Sequence, residues 1–463
     1  MPQAKTAFGQ SSGAATGPTR LQKWCVGIGV LALLASLLLW RDRTIAVADT
    51  LIVCGFALSA CSKLLLALVG RAQAPVRLLP ATALPTYTLL VPLYKEAEIV
   101  SQLISAILRI DYPKAKLQAI LILEADDNET LDALAWLRLP SFVEVLVRPA
   151  GGPQTKPNAL NAALPFATGE FLVVYDAEDI PHPQQLQEAA SRFSADPAMA
   201  CLQAPLRISN PDGGFLARQF ALEYAAQFEA LIPGLVRLGF AFPLGGTSNH
   251  LRTAILRELG GWDPYNVTED ADLGLRLGVG GHKVGVMALP TEEDAPTDLR
   301  TWLPQRSRWV KGYMQTWGVR MRRPWDGGAK NALLLHATLG MSILGAALHG
   351  PLVALLGCVL VGDLVADWAP ASRLTDLSIL AGGWGASVLA AALGAQRAGL
   401  KMDLMDALAC LLYWPMLSAA FVFAAWQLVA APHYWSKTPH VPNASPASSG
   451  LDAPAPWGVS PAM

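Results

Sequence analysis

The sequence predicts an α/β domain built on a mostly parallel sheet and flanked at both ends by transmembrane helices. Three observations predict it. The composition is 52% hydrophobic and only 15% charged over 463 residues, too apolar for an ordinary soluble enzyme and too varied for a disordered chain. The apolar residues gather toward the two ends of the chain. Between them, short apolar runs alternate with helix-like stretches, the pattern of a parallel sheet with helices on both faces.

Taken in order, residues 1–20 are rich in Gly, Ala, Ser and Thr without hydrophobic periodicity and predict a disordered N-terminus. Residues 21–70 predict two transmembrane helices. Trp24–Trp40 carries no charge and ends in an interface-seeking Trp on each side. A second apolar run, about Ile45 to Gly70, is interrupted by Asp49 and Lys63. Arg20, Lys23, Arg71 and Arg77 lie on one side of this pair and Arg41 and Arg43 on the other. We place residues 71–298, the α/β domain, in the cytoplasm, at a bacterial inner (plasma) membrane.

Within that domain Tyr87–Pro92, Ala119–Leu123, Val143–Val147 and Glu170–Tyr175 read as strands, with helices over Glu96–Leu108 and about Pro157–Ala167. The stretch 215–240 reads as an amphipathic helix docked on the membrane surface. Residues 299–330 predict an amphipathic interfacial helix, with Trp302, Trp309 and Trp317 near lipid and Arg308, Lys311, Arg320, Arg322 and Arg323 toward headgroups. Residues 331–431 hold three or four transmembrane helices. The choice depends on whether Gly350-Pro351 breaks Ala332–Gly362 into two; Leu377–Ala395 and Met405–Ala431 are the others. Three satisfies the positive-inside rule, and four is the count we favour. Residues 432–463 are Pro/Ala/Ser-rich and predict a disordered tail.

The net charge of −1 gives no reason to expect a nucleic-acid partner. Six cysteines are scattered without a Cys-x-x-Cys pair, so neither a disulfide framework nor a zinc site is expected, and a reducing compartment is.

Four constellations and one further stretch carry chemistry. Two acidic clusters, Glu124-Ala125-Asp126-Asp127 and Asp176-Ala177-Glu178-Asp179, follow two strands, where ligands of a parallel sheet bind. Carboxylates at i and i+2 supply the hard oxygens that Mg²⁺ or Mn²⁺ shares with substrate phosphates, although such acids also cap helices. Thr268-Glu269-Asp270 presents a carboxylate at a helix start, suited to a general base or to an ordinary N-terminal cap. Gln305-Arg306-Ser307-Arg308-Trp309 combines a diphosphate-neutralising guanidinium with an aromatic face for a sugar ring. Phe242–Arg252, with Ser248 and Asn249, offers hydrogen bonds to sugar hydroxyls or is a structural turn.

The ordered set VPLYKEAE (91–98), EADD (124–127), DAED (176–179), TED (268–270) and QRSRW (305–309) resembles the family 2 inverting membrane glycosyltransferases, in particular the cellulose-synthase and hyaluronan-synthase branch. The resemblance covers roughly residues 85–325 and implies a GT-A-like, Rossmann-like fold, a UDP-sugar donor and an in-line displacement that inverts the anomeric centre. It implies Tyr94, Glu96, Glu124, Asp126, Asp127, Lys156 and Asn161 around the nucleotide sugar. It assigns Asp176 and Glu178 to a Mg²⁺ or Mn²⁺ ion, and Asp270, with Asp176 and Arg308, to catalysis. Glu269, Gln305, Trp309, Ser248 and Asn249 fall on the acceptor side. The usual D-x-D is D-x-E here, with Asp179 beside it, so the ligating acid is open, as is the choice between Glu124 and Asp126.

The function expected is a processive β-polysaccharide synthase that extends a growing glycan. The alternatives are a non-processive transferase to a lipid-linked acceptor and a non-catalytic scaffold on a transferase fold. Filled acidic positions speak against the scaffold, and few ionisable residues in the apolar runs speak against a transporter. Membrane lipid is an expected partner; whether there are partner subunits is left open by the sequence.

Overall fold

The computed structural model describes residues 13–149, 151–366, 373–432 and 434. Two long helices open the chain, α1 (Arg20–Leu39) and α2 (Arg41–Val69), with leucines and valines exposed along most of their length. The α/β domain then starts with β1 (Tyr87–Leu93), α3 (Val100–Arg109), β2 (Leu117–Glu124), α4 (Asn128–Ala135) and β3 (Val143–Arg148). It continues through α5 (Lys156–Ala163), β4 (Phe171–Val174), β5 (Ile180–Pro181), α6 (Gln185–Ala195), β6 (Met199–Gln203) and β7 (Leu206–Ile208). Helix α7 (Phe215–Tyr224) passes through a π-helical turn, Ala225–Leu231, into α8 (Ile232–Arg237). The domain closes with β8 (Asn249–Arg252), α9 (Thr253–Glu258), α10 (Glu269–Val279), β9 (Lys283–Val286) and β10 (Thr291–Glu293). Beyond it lie α11 (Leu299–Arg320), α12 (Gly328–Leu335), α13 (Met341–Ala366), α14 (Arg373–Ala398) and α15 (Leu404–Ala430).

Seven strands form one sheet in the order β3-β2-β1-β4-β8-β6-β9. The run β3-β2-β1-β4 is parallel, and only β8 runs against its neighbours. Strands β1, β2 and β4 are buried almost residue by residue, as expected where helices cover both faces of a parallel sheet. Helix α3 buries Val100, Leu103, Ile104 and Ile107 against one face, an i, i+3, i+4, i+7 stripe. The other face packs on α5, on α7 and, through Trp302, on α11. The four expected strands are present with ends shifted by one or two residues.

Among the described residues five helices are long and apolar enough to cross a membrane, two before the domain and three after it: Gly328–Ala354, Ser378–Ala398 and Leu404–Ala430. The fourth C-terminal span we favoured is not found among the described residues, because helix continues through Gly350-Pro351. Ser418 on α15 replaces what proline disturbs there, accepting the Gly350 N–H at 2.9 Å.

Three further expectations are corrected. Residues 13–19 are not disordered: Ala14 N–H donates to Asp263 at 2.7 Å, and Arg322 donates to the Gly13 and Gly17 carbonyls. Residues 1–12, residues 367–372 and most of residues 432–463, where the sequence predicts a disordered tail, lie outside the described residues. The 215–240 helix is buried rather than laid on a surface, because it has apolar contacts on two sides. Phe220, Tyr224 and Phe228 enter the domain core, while its backbone touches the apolar helices. A Cβ on Gly394 of α14 would stand 2.1 Å from the Ala225 carbonyl, and one on Gly234 would stand 2.3 Å from that of Leu66 on α2. Lastly, Trp302 is fully buried and donates to Tyr413 at 3.2 Å, and Lys311 is fully buried against the Tyr434 carbonyl. Neither faces lipid or headgroups.

Candidate active site

The carboxyl ends of β1, β2 and β4 open into a cavity of about 830 Å³. Parallel pairing sets these three strand ends side by side, so the residues following each strand meet there. Tyr94 and Glu96 follow β1, and Glu124 ends β2; all three line the cavity. Glu124 is held by Arg148 at the end of β3, 2.7 Å away. Its neighbours separate by role. Asp127 turns inward, caps α4 through the Thr130 N–H and accepts the Lys95 N–H at 2.5 Å. That bond holds Lys95 at φ 55°, a backbone strain often kept at functional turns. Asp126 is exposed and takes a 2.9 Å hydrogen bond from Gln154, a cavity residue.

After β4, Asp176 and Glu178 line the cavity, whereas Asp179 is buried behind them. Asp179 accepts the Asp176 N–H at 2.7 Å and the Thr247 hydroxyl. Burial, with Asp176 and Glu178 close by, raises its pKa well above the carboxylate range. The geometry thus gives Asp179 a scaffolding position and leaves Asp176 and Glu178 facing the space. Lys156, the first residue of α5, pairs with Asp176 and donates to the Gly246 carbonyl at 2.7 Å. Burial opposes its charge, but Asp176 and Glu269 outweigh that and raise its pKa.

Glu269 and Asp270 enter from the start of α10. Burial pushes Glu269 up to about 8 and Asp270 up to about 6, with Asp270 adding to the rise of Glu269 and Lys156 opposing both. From the other side α11 brings Gln305, Arg308 and Trp309 to the same cavity. Arg308 lies in the field of Glu269, Asp176, Asp270 and Glu178. The Gln305 Oε1 is buried without a hydrogen-bond partner, a lining acceptor ready for a hydroxyl. Gly312, one turn beyond Arg308, lets α11 seat on Thr268: a Cβ there would stand 2.4 Å from both Thr268 Cγ2 and Oγ1.

Asp126 and Asp127 are not among the residues lining the cavity, and three further expected residues also stand elsewhere. Asn161 spends its amide on the Trp262 backbone, donating at 2.7 Å and accepting at 2.9 Å. Ser248 is fully buried, at φ 57°, with its hydroxyl 2.6 Å from that of Thr291. Asn249 is buried at the start of β8 and donates to the Gly245 carbonyl at 2.7 Å. None of the three lines the cavity; the stretch that holds Ser248 and Asn249 behaves as a structural turn and strand.

The structure also adds residues. Arg306, the first of the two arginines of QRSRW, is buried in a bidentate pair with Glu223 at 2.7–2.8 Å and donates to Tyr413 of α15 at 2.9 Å. Its guanidinium lies 4.2 Å from the Phe220 ring and 4.6 Å from that of Trp309. Glu223 had no signal in the sequence beyond its place in an amphipathic run.

A divalent cation fits this donor set in one particular way. Asp176 and Glu178 offer two carboxylates, the complement Mg²⁺ uses when substrate phosphates supply the remaining ligands. Among the described residues no three His, Cys, Asp or Glu gather closely enough to hold an ion unaided. The arrangement therefore suits a metal shared with a diphosphate, not a resident metal cage.

The family described as "Glycosyltransferase like family 2" matches residues 85–312. The chain is 28% identical over 276 residues to the beta-monoglucosyldiacylglycerol synthase of Synechocystis sp., covering 56% of this chain and 55% of that protein. It is 30% identical over 237 residues to the UDP-forming cellulose synthase catalytic subunit of Pseudomonas fluorescens, covering 50% of this chain and 31% of that one. The chain thus spans about half or less of the length of these relatives. Among solved structures, the mannosyltransferase PcManGT from Pyrobaculum calidifontis, in complex with GDP-Man and Mn²⁺, superposes with a TM-score of 0.52 at 23% identity. That likeness covers 83% of this chain and 98% of the other, and it is one of fold: the domain is GT-A-like.

Proposed function

Residues 85–312 are a family 2 glycosyltransferase domain, and from that premise we propose that the protein is a membrane-embedded, inverting hexosyltransferase using a UDP-sugar. Its acceptor is a hydroxyl carried on a membrane lipid, and its catalytic domain faces the cytoplasm of a bacterial inner membrane. The observation that carries this reading is the extent of the cavity. The space lined by Asp176, Asp270 and Arg308 is also lined by Phe56 and Leu66 of α2, Ile343 of α13, Leu380 and Trp384 of α14 and Leu417 of α15. A reacting centre and an apolar chamber share one volume, which suits an amphiphile better than a water-borne sugar.

In the mechanism, Tyr94, Glu96 and Glu124 receive the nucleoside, and Asp176 and Glu178 are the residues that would hold a Mg²⁺ or Mn²⁺ ion. Such an ion supplies Lewis-acid stabilisation of the leaving group. Asp270, ionised above about pH 6, accepts the proton of the acceptor hydroxyl. The acceptor oxygen bonds to the anomeric carbon from the face opposite the diphosphate. The bond from that carbon to the phosphate oxygen breaks with its electron pair going to UDP. Lys156 and Arg308 face the charge that develops there. Trp309 packs across Tyr224 at a ring separation of 6.3 Å and offers its remaining surface to the sugar. Gln305 accepts from an acceptor hydroxyl.

A processive β-glycan synthase would use the same reacting centre. The apolar walls weigh toward the lipid-borne acceptor, because a polymer passing between the helices needs hydroxyl partners along its path. Full-length protein in lipid nanodiscs, supplied with a panel of ¹⁴C-labelled UDP-sugars and Mg²⁺ or Mn²⁺, tests the two. Label extracted into organic solvent as a single-sugar product is the expected result. Polymeric label remaining in water would overturn the lipid acceptor.

A further inference from the structure

Four cations line the cavity: Lys63, Lys156, Arg306 and Arg308. Lys156 is paired with Asp176, Arg306 is paired with Glu223, and Arg308 lies among the carboxylates of the reacting centre. Lys63 differs from all of them. It lies on α2, in an apolar helix, and its ammonium donates to the Ser387 hydroxyl of α14 at 3.1 Å. No carboxylate lies within 4 Å of it among the described residues. The acid in its field is Glu223, already engaged by Arg306 and Tyr413. A cation kept in an apolar helix without an acid partner calls for an anion from elsewhere, since the charge is otherwise costly there.

The surroundings define that anion. Phe56, Ser59, Lys63 and Leu66 recur at helical spacing and line the cavity from α2. Opposite them, Leu380, Trp384 and Ser387 line it from α14, so a hydroxyl-and-ammonium patch sits between apolar walls. Depth fits a lipid headgroup. Helix α2 has 29 residues, about 44 Å at 1.5 Å per residue, against a hydrocarbon core of about 30 Å. A helix centred in the bilayer leaves about 7 Å at each end in the headgroup zone. Lys63, six residues before the helix end at Val69, lies about 9 Å from that end. This is close to the level of the headgroup boundary.

We propose that Lys63 and Ser387 form a binding site for the phosphate of a membrane lipid whose chains lie along the apolar walls and whose head extends toward Asp270 in the same cavity. The site makes the acceptor an anionic phospholipid, a phosphodiester whose head carries the acceptor hydroxyl, and not a neutral glyceride. The inference rests on the glycosyltransferase reading for the word acceptor, but the anion site stands or falls by itself.

The test is native mass spectrometry of the delipidated full chain in non-ionic detergent, titrated with dioleoylphosphatidylglycerol, dioleoylglycerol or inorganic phosphate. Wild type, Lys63→Gln and Lys63→Arg are compared. Lys63→Gln is expected to weaken phosphatidylglycerol binding at least tenfold, about 1.4 kcal/mol. Lys63→Arg should remain within threefold of wild type, and dioleoylglycerol binding should not change. Equal phosphatidylglycerol affinity in wild type and Lys63→Gln overturns the proposal, as expected of a lysine that merely extends to the interface. Displacement of the lipid by millimolar inorganic phosphate would overturn the lipid and leave a free-phosphate site. UDP binding is measured on the same samples. Its absence in a wild-type protein that discriminates by Lys63 would defeat the transferase reading while sparing the anion site.

Discussion

Alanine at Gly312 would set α11 against the helix start that carries Asp270. The added Cβ would lie 2.4 Å from Thr268 Cγ2, 2.4 Å from Oγ1 and 2.8 Å from Cβ, whereas ordinary contact begins near 3.4 Å. Rotating Thr268 exchanges one clash for the other and leaves its Cβ in place. The two backbones must therefore separate by about 1 Å, and overpacking of this kind costs about 1–3 kcal/mol. Arg308 and Trp309 stand within one turn of Gly312 and move with it, away from Asp270. A misplacement of about 1 Å is worth about a hundredfold in rate. Sugar transfer in nanodiscs should fall by that factor, while UDP affinity stays within threefold because the nucleoside residues follow β1 and β2. Thr268→Ala should restore part of the rate to Gly312→Ala, since it removes both 2.4 Å contacts. By itself it is mild, because the Thr268 hydroxyl is buried without a partner. Wild-type turnover in Gly312→Ala, or no recovery in the double variant, would refute the claim that the seating of α11 on Thr268 sets the catalytic geometry.

Asp270→Asn should abolish transfer and retain UDP binding and thermal stability, and turnover near the wild-type rate would remove Asp270 as the base. In the wild type, kcat/KM should fall as pH drops below about 6, where the raised Asp270 pKa leaves the base protonated; a profile flat from pH 5 to 8 would contradict this. The folded pKa of Glu269, about 8, exceeds its ordinary 4.5, so the folded state binds more protons between these values and stability declines as pH rises through that window. Glu269→Gln should flatten the fall of Tm between about pH 4.5 and 8, read by differential scanning fluorimetry. EDTA should stop transfer and Mg²⁺ or Mn²⁺ restore it, with Glu178→Gln raising the metal concentration needed for half-maximal rate; a chelator-insensitive rate would exclude the Asp176–Glu178 assignment.

The strands and the acidic clusters were legible because both obey local rules. A parallel strand buried on two faces reads as an unbroken apolar run, and acids just past it fall at the ligand edge whatever the rest of the chain does. Glu178 and Asp179 could not be separated that way. Their roles depend on Thr247, 68 residues from Asp179 in the chain, which draws one carboxylate inward. Ser248 and Asn249 misled for the converse reason: hydrogen-bonding side chains beside a glycine pair look available until the sheet buries them. The outward-facing reading of Trp302 and Lys311 on α11 failed on long-range partners too. Trp302 and Arg306 find Tyr413, more than a hundred residues away, and Lys311 finds the carbonyls just past α15. Lys63 appeared in the sequence only as a flaw in an apolar run, and it took the α14 contact to show that it faces a cavity.

The backbone contacts at Gly394 and Gly234 bear on how such an enzyme could be re-engineered. Where carbonyls of the domain helices and of the apolar helices lie against glycines with no side chain between them, there is no cushion to absorb a change of register. A chimaera that exchanged the nucleotide-sugar domain for that of a relative would have to carry α2 and α14 with it. On the proposed function, donor choice and acceptor choice would then be inherited together as one indivisible block.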